Sequence, residues 1–323
     1  MSEWLLDRLY SQTEQPAARF AFQGTINWIK ALSLSIEDNF SFSQVNDFYS
    51  TVQRKQINIE YDTKALEFLL LSLHNISSIS ENTKAENKYN ICRSSIISWY
   101  YSVYFASKAM IAANCNSIQE SHSDTSIVWQ KQLINNDLVM KPFSLNITSI
   151  VKKDTEKQIN ELRGDTLIDL NNYPNNIEQS FGALLAYLNG TSEFEREKYE
   201  EVIRDSREYK QAGYDSFRKK NARELRDNFL SKHCVNFLVQ ASRYRGKSNY
   251  RDSIYLSYGD DNTRKINELI DNLYKVAVAF HRMASIYVSK RIEKGIWPLF
   301  LEDLKTNLRI SLDLSDLYKK IRS

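Results

Sequence analysis

The stretch Arg226-Asp-Asn-Phe-Leu-Ser-Lys-His233 sets an arginine seven positions ahead of a histidine, in a region whose apolar spacing predicts helix. Positions seven apart on an α-helix lie within about 20° of each other and about 10.5 Å apart along the axis, so both side chains are expected on one face. A guanidinium fork can clamp a phosphate and stabilise the charge that builds up when it is attacked. An imidazole that titrates near neutrality can move the proton of a ribose hydroxyl or of a leaving group. Together these groups have the chemistry to break an RNA phosphodiester without a metal. An Arg and a His at this distance also occur by chance in many helices, and the plain alternative is a surface or boundary histidine beside Cys234.

The surrounding charge favours an anionic partner. Between Ser216 and Asp252 there are ten basic residues: Arg218, Lys219, Lys220, Arg223, Arg226, Lys232, Arg243, Arg245, Lys247 and Arg251. Only Glu224, Asp227 and Asp252 oppose them, so this segment carries +7 while the whole chain carries +3. A local excess larger than the net charge is the footprint that a phosphate backbone selects, although a solvated charged face has the same composition. The neighbouring Tyr244, Tyr250, Tyr255 and Tyr258 add rings on which bases stack.

The other candidate groups are weaker. His74 sits beside a leucine-rich stripe, His281 lies in the last strong helix next to Arg282, and His122 in Glu120-Ser-His-Ser-Asp124 reads as a loop residue. The three cysteines, Cys92, Cys115 and Cys234, form no C-x-x-C pair and predict neither a disulfide framework nor a zinc site. No metal and no cofactor is expected. Acids at Glu3 and Asp7 break the order of a signal peptide, and Ser98, Ser102, Ser107 and Lys108 interrupt the most apolar run. The expectation is a cytoplasmic chain with no membrane partner.

Elements that position such groups should be helical. The chain has 8 glycines and 4 prolines in 323 residues, against roughly 12 % of residues in average usage, which excludes turn-dense sandwiches and Gly-rich nucleotide-binding sheets. The fold class is all-α: a helical bundle with long central helices and an N-terminal helical extension over 1–80, the bundle and its C-terminal tail occupying 81–323. Periodicity predicts helices over Lys64–Ile79, about Asn87–Asn114, Thr125–Leu133, Glu193–Gln211, Tyr214–Tyr244 and Asn262–Ile292. Ser192 with Glu195 forms a capping-box pattern, Gly190 is expected to break or kink the preceding helix, and Asn135–Pro174 shows no regular pattern. The polar stretch Ser77–Asn87 marks the candidate boundary.

The helix Arg93-SSIISWYYSVYFASKAMIA-Ala113, followed by a long helical stretch and an Arg-x6-His motif, resembles the HEPN superfamily over about residues 88–290. The resemblance implies a small helical bundle, many of whose kin are metal-independent endoribonucleases of bacterial toxin, CRISPR and anti-phage systems. It implies that Arg226 positions the scissile phosphate, Asp227 fills the polar position beside it and His233 acts as acid or base on the 2′-hydroxyl. It also implies a homodimer. A competing placement is Arg245-Gly-Lys-Ser-Asn249-Tyr250, which has the shorter motif spacing but a tyrosine where histidine is expected. On either placement Arg218, Lys219, Lys220, Arg223, Arg243, Arg245, Lys247, Asn249, Tyr250 and Arg251 form the expected nucleic-acid contact. The alternative reading is a catalytically silent helical module that holds nucleic acid or a partner protein within a defence complex.

Overall fold

The computed structural model describes residues 18–37, 39–249, 263–318 and 321. Its helices are α1 (Ala18–Glu37), α2 (Phe42–Phe48), α3 (Ile59–Thr83), α4 (Cys92–Cys115), α5 (His122–Gln132), α6 (Lys152–Arg163), α7 (Ile177–Asp205), α8 (Arg207–Gln211), α9 (Lys220–Leu230), α10 (Phe237–Asn249), α11 (Thr263–Arg291), α12 (Ile296–Asn307) and α13 (Leu314–Tyr318). Among the described residues there is no sheet, and the isolated antiparallel bridge Ile147–Val235 is the extent of β pairing. The all-α expectation is met. No helix among these residues is long and apolar enough to cross a membrane.

The aromatic-rich α4 is the central helix. Ile96, Trp99, Val103, Ala106, Met110 and Ile111 are buried on several faces, and so are Ser95, Ser102 and Ser107. Those hydroxyls donate to carbonyls three or four residues back, at 2.7 to 2.8 Å, so burial leaves none of them unsatisfied. α3 runs antiparallel to α4, as Asn82–Ser95, Ser72–Ser102 and Phe68–Phe105 show. α11 closes this layer against both helices, and α1 lies between α11 and α7. Residue 80 falls inside α3, and residues 26–79 contribute to the same hydrophobic core as the rest of the chain.

Four helices meet at one aromatic cluster. Trp28 of α1 stacks on Tyr187 of α7 at 4.2 Å and meets Trp99 of α4 edge-on at 5.7 Å. Tyr244 of α10 lies 5.0 Å from Trp28 and 5.5 Å from Trp99, and Phe237 packs against the same two rings. Tyr244 is therefore core and offers no face for stacking bases; its hydroxyl donates to the Thr25 carbonyl at 3.0 Å.

Two helix expectations are corrected. Gly190 does not end the helix: α7 continues through it, the buried Ser192 donates to Leu188 O at 3.0 Å, and the break falls at Ser206, whose Oγ caps α8. The helix expected over Tyr214–Tyr244 is two helices, α9 and α10. Between them the irregular segment before α6 pairs with the chain, Ile147 N donating to Val235 O at 2.7 Å and Val235 N to Ile147 O at 2.8 Å. Asn236 then restarts the helix. Its Oδ1 accepts from Leu238 N and Val239 N, at 3.1 and 3.3 Å, while Nδ2 donates to Ser126 O on α5 at 2.9 Å.

Asn236→Ala is expected to cost roughly 1–3 kcal/mol, because it removes a cap and orphans buried groups; chemical denaturation measures it, and a neutral change would show that the bend holds itself. A second buried group reports through pH. Ser72 gives its proton to Ser102 O, so His281 Nδ1 donates to Ser72 Oγ at 2.9 Å and Nε2 accepts from Tyr318 Oη at 2.7 Å. Burial, with a smaller contribution from Arg282, lowers the His281 pKa from 6.5 to about 3. In that window the unfolded chain binds a proton the folded chain refuses, so stability falls as pH drops from 6.5 toward 3. His281→Gln is expected to flatten this slope by about one proton in denaturation series across pH.

Candidate functional site

α5 begins at His122 because Ser121, in extended conformation, caps it: Ser121 Oγ accepts from Asp124 N at 3.1 Å. The loop reading of His122 is thereby corrected. The Ser-x-x-Asp pattern at 121–124 is the signal that could have found it.

α5, α7 and α10 enclose a cleft of about 790 Å³. His122 lines it from α5, Ser242, Arg243 and Lys247 from α10, and Phe194, Lys198 and Tyr199 from α7. α9 is tied to α7 on the side of Glu200, which Arg226 reaches at 3.5 Å. The bend at 231–236 is what turns α10 so that Arg243 and Lys247 share the cleft with His122, more than 120 positions earlier in the chain.

Arg243 donates from Nη1 to Thr191 Oγ1 at 3.0 Å and lies 4.8 Å from the ring of Phe194, which is 45 % exposed. Its Nε is buried with no acceptor, and no carboxylate pairs with Arg243 among the described residues. Lys198 is held by Glu195 at 3.2 Å. A guanidinium whose charge no carboxylate offsets, with an exposed ring beside it, can take an anionic oxygen and a flat apolar group together.

The imidazole of His122 is buttressed from α4. Its Nδ1 lies 2.8 Å from Tyr100 Oη, and its ring lies 4.4 Å from that of Tyr104. Burial pushes the Tyr100 phenol up to about 12, offset in part by the nearby Ser242 hydroxyl and by the Arg245 charge. Arg245 stands 4.8 Å over the Tyr100 ring and donates to Tyr101 Oη at 3.4 Å. Lys108, also buried, has its Nζ 4.5 Å from the ring of Phe68, and burial lowers its pKa against the pull of Glu120. For His122, burial first, then the charges of Arg245 and Lys108, hold the pKa below 6.5.

No known protein family, curated protein or solved structure matches this chain.

The residues singled out from sequence divide three ways. Arg243 and Lys247 line the cleft, and Arg245 stands behind it against Tyr100 and Tyr101. Arg218, Lys219, Lys220 and Arg223 are exposed at the start of α9, Lys220 pairing with Glu224 at 3.8 Å. Asn249 ends α10, while Tyr250, Arg251, Tyr255 and Tyr258 lie outside the described residues.

Arg226 and His233 do not share a helix face, because α9 ends at Leu230 and His233 follows its last turn. Arg226 is held by Asp227 at 2.8 Å and Glu200 at 3.5 Å, so two carboxylates offset its charge. His233 donates from Nδ1 to Phe229 O at 2.9 Å, and its ring lies 4.0 Å from Tyr199. Since Tyr199 lines the cleft, His233 backs the wall that Tyr199 forms.

His122 is expected to titrate below 6.5, and Arg245→Met to raise it toward that ordinary value. Ring resonances followed by NMR across pH 4–8 check this; a native pKa above 6.5 would contradict the electrostatics described.

Proposed function

We propose that this chain is an HEPN-like RNA-binding protein whose cleft between α5, α7 and α10 cleaves RNA without a metal. The observation that carries the reading is the convergence of His122, Arg243 and Lys247 on one cleft from separate helices. In this reading Arg243 and Lys247 hold a backbone phosphate, and Phe194 gives the attached base an apolar face. His122 stabilises charge on the phosphate as the ribose 2′-hydroxyl, losing its proton to water, attacks the phosphorus and the P–O5′ bond breaks, the departing 5′-oxygen taking a proton from water; the products are a 2′,3′-cyclic phosphate and a 5′-hydroxyl. The HEPN resemblance of the α4 sequence extends the reading to a toxin or anti-phage effector.

The test is incubation of the full chain with mixed cellular RNA in excess EDTA. Wild-type protein is expected to leave 2′,3′-cyclic phosphate ends. His122→Ala is expected to lose about 10²–10³-fold in turnover, the cost of one preorganised donor to a developing oxyanion. The pair Arg243→Ala and Lys247→Ala should weaken binding and reduce the salt slope by about 1.4, from roughly 0.7 per phosphate on single strands. Absence of RNA affinity at low salt overturns the whole reading. Binding without cutting by the wild type replaces the nuclease with the silent module, and loss of cutting in His233→Ala alone returns the chemistry to Arg226 and His233.

A further inference from the structure

Three histidines have a ring nitrogen whose partner determines where the proton sits. Phe229 O and Ser72 Oγ, the latter already donating to Ser102 O, can only accept, so His233 and His281 each carry their proton on Nδ1. His122 differs, because its Nδ1 faces a phenol. A phenol is a good donor, and an imidazole nitrogen is a stronger acceptor than a phenol oxygen. Tyr100 therefore donates to Nδ1, at 2.8 Å. The reverse arrangement would turn the stronger donor of the pair, on a residue 2 % exposed, into an acceptor.

We infer that Tyr100 fixes His122 as the Nε2–H tautomer, making it a neutral hydrogen-bond donor to an anionic phosphate oxygen in the cleft and denying it the role of proton acceptor at Nε2. The charged and titratable groups facing His122 agree with a neutral ring. Lys108 comes from α4 and Arg245 from α10, both cationic, and Glu120 precedes α5. A neutral donor keeps its hydrogen bond at any pH above its own pKa, whereas an imidazolium loses its charge as pH rises. Tyr100 is a positioning residue here. The tautomer stands on the Tyr100–His122 hydrogen bond alone; its use on a phosphate rests on the RNA-binding reading above.

The test is ¹⁵N-NMR of the full chain labelled at histidine, with His122→Gln identifying the resonance. At pH 8 the expected spectrum has His122 pyrrole-like at Nε2 and pyridine-like at Nδ1, with His233 and His281 showing the opposite pattern in the same sample. A pyrrole-like Nδ1 for His122, or a mixture of both forms, overturns the inference from the wild-type protein alone. Tyr100→Phe keeps the ring and should release the tautomer to a mixture; a tautomer unmoved in that variant removes Tyr100 as its cause. Inorganic phosphate is expected to shift Nε2 while Nδ1 stays unprotonated, and no movement at Nε2 overturns the phosphate half. His122→Ala should weaken phosphate binding about tenfold, as for a lost hydrogen bond to a charged group, and His122→Gln, which retains a donor, should weaken it less. A fixed Nε2–H tautomer in a protein that binds no RNA would leave this inference standing and remove the function proposed above.

Discussion

The contact between Trp28 and its four aromatic neighbours is the constraint on which the cleft depends. Each edge or stacked pair adds about 0.5–1.5 kcal/mol beyond the area it buries, and these pairs join α1, α4, α7 and α10 at one point. Two of those helices, α7 and α10, are walls of the cleft, and α4 carries Tyr100 behind the third. A site built on helices locked by large rings can hold donors in place at no cost when a ligand arrives. The N-terminal helix, whose sequence suggests no chemistry, has its role here.

Electrostatics follows from that packing. Burial of α4 brings Lys108 and the rings of Tyr100, Tyr101 and Tyr104 beneath α5 and α10, where Arg245 covers them. Burial first, then the two cations nearby, disfavour the charged form of this imidazole, so above pH 6.5 its hydrogen bonds decide what it offers. Arg226 experiences the opposite situation. Glu200 and Asp227 surround it, and an arginine so compensated attracts an anion less than Arg243, whose partner is the neutral Thr191.

Composition and periodicity are enough for the fold class and for the helices α3, α4 and α11, since each follows from residues close in sequence. Local signals also marked breaks, but rival signals outweighed them in a one-dimensional reading. Gly190 looked like a breaker, yet a glycine inside a well-packed helix costs only about 1 kcal/mol relative to alanine, and α7 absorbs it. Asn236 before Phe-Leu-Val had the pattern of a cap, but the charged periodicity on either side read through it. That one bend separated Arg226 from His233 and removed their shared face.

Composition and spacing specify a helical protein with a basic segment over 216–252, because helix propensity and hydrophobic spacing act over a few residues. Packing settles which basic residues are compensated, which tyrosines are core and which histidine meets the cations. Those outcomes depend on pairs more than a hundred residues apart, such as Tyr244 with Thr25 and Tyr100 with Arg245, and on the nearer pair Ile147 with Val235. Charge compensation and tautomer choice act through distances of a few ångströms, and chain order does not encode such distances until the helices pack.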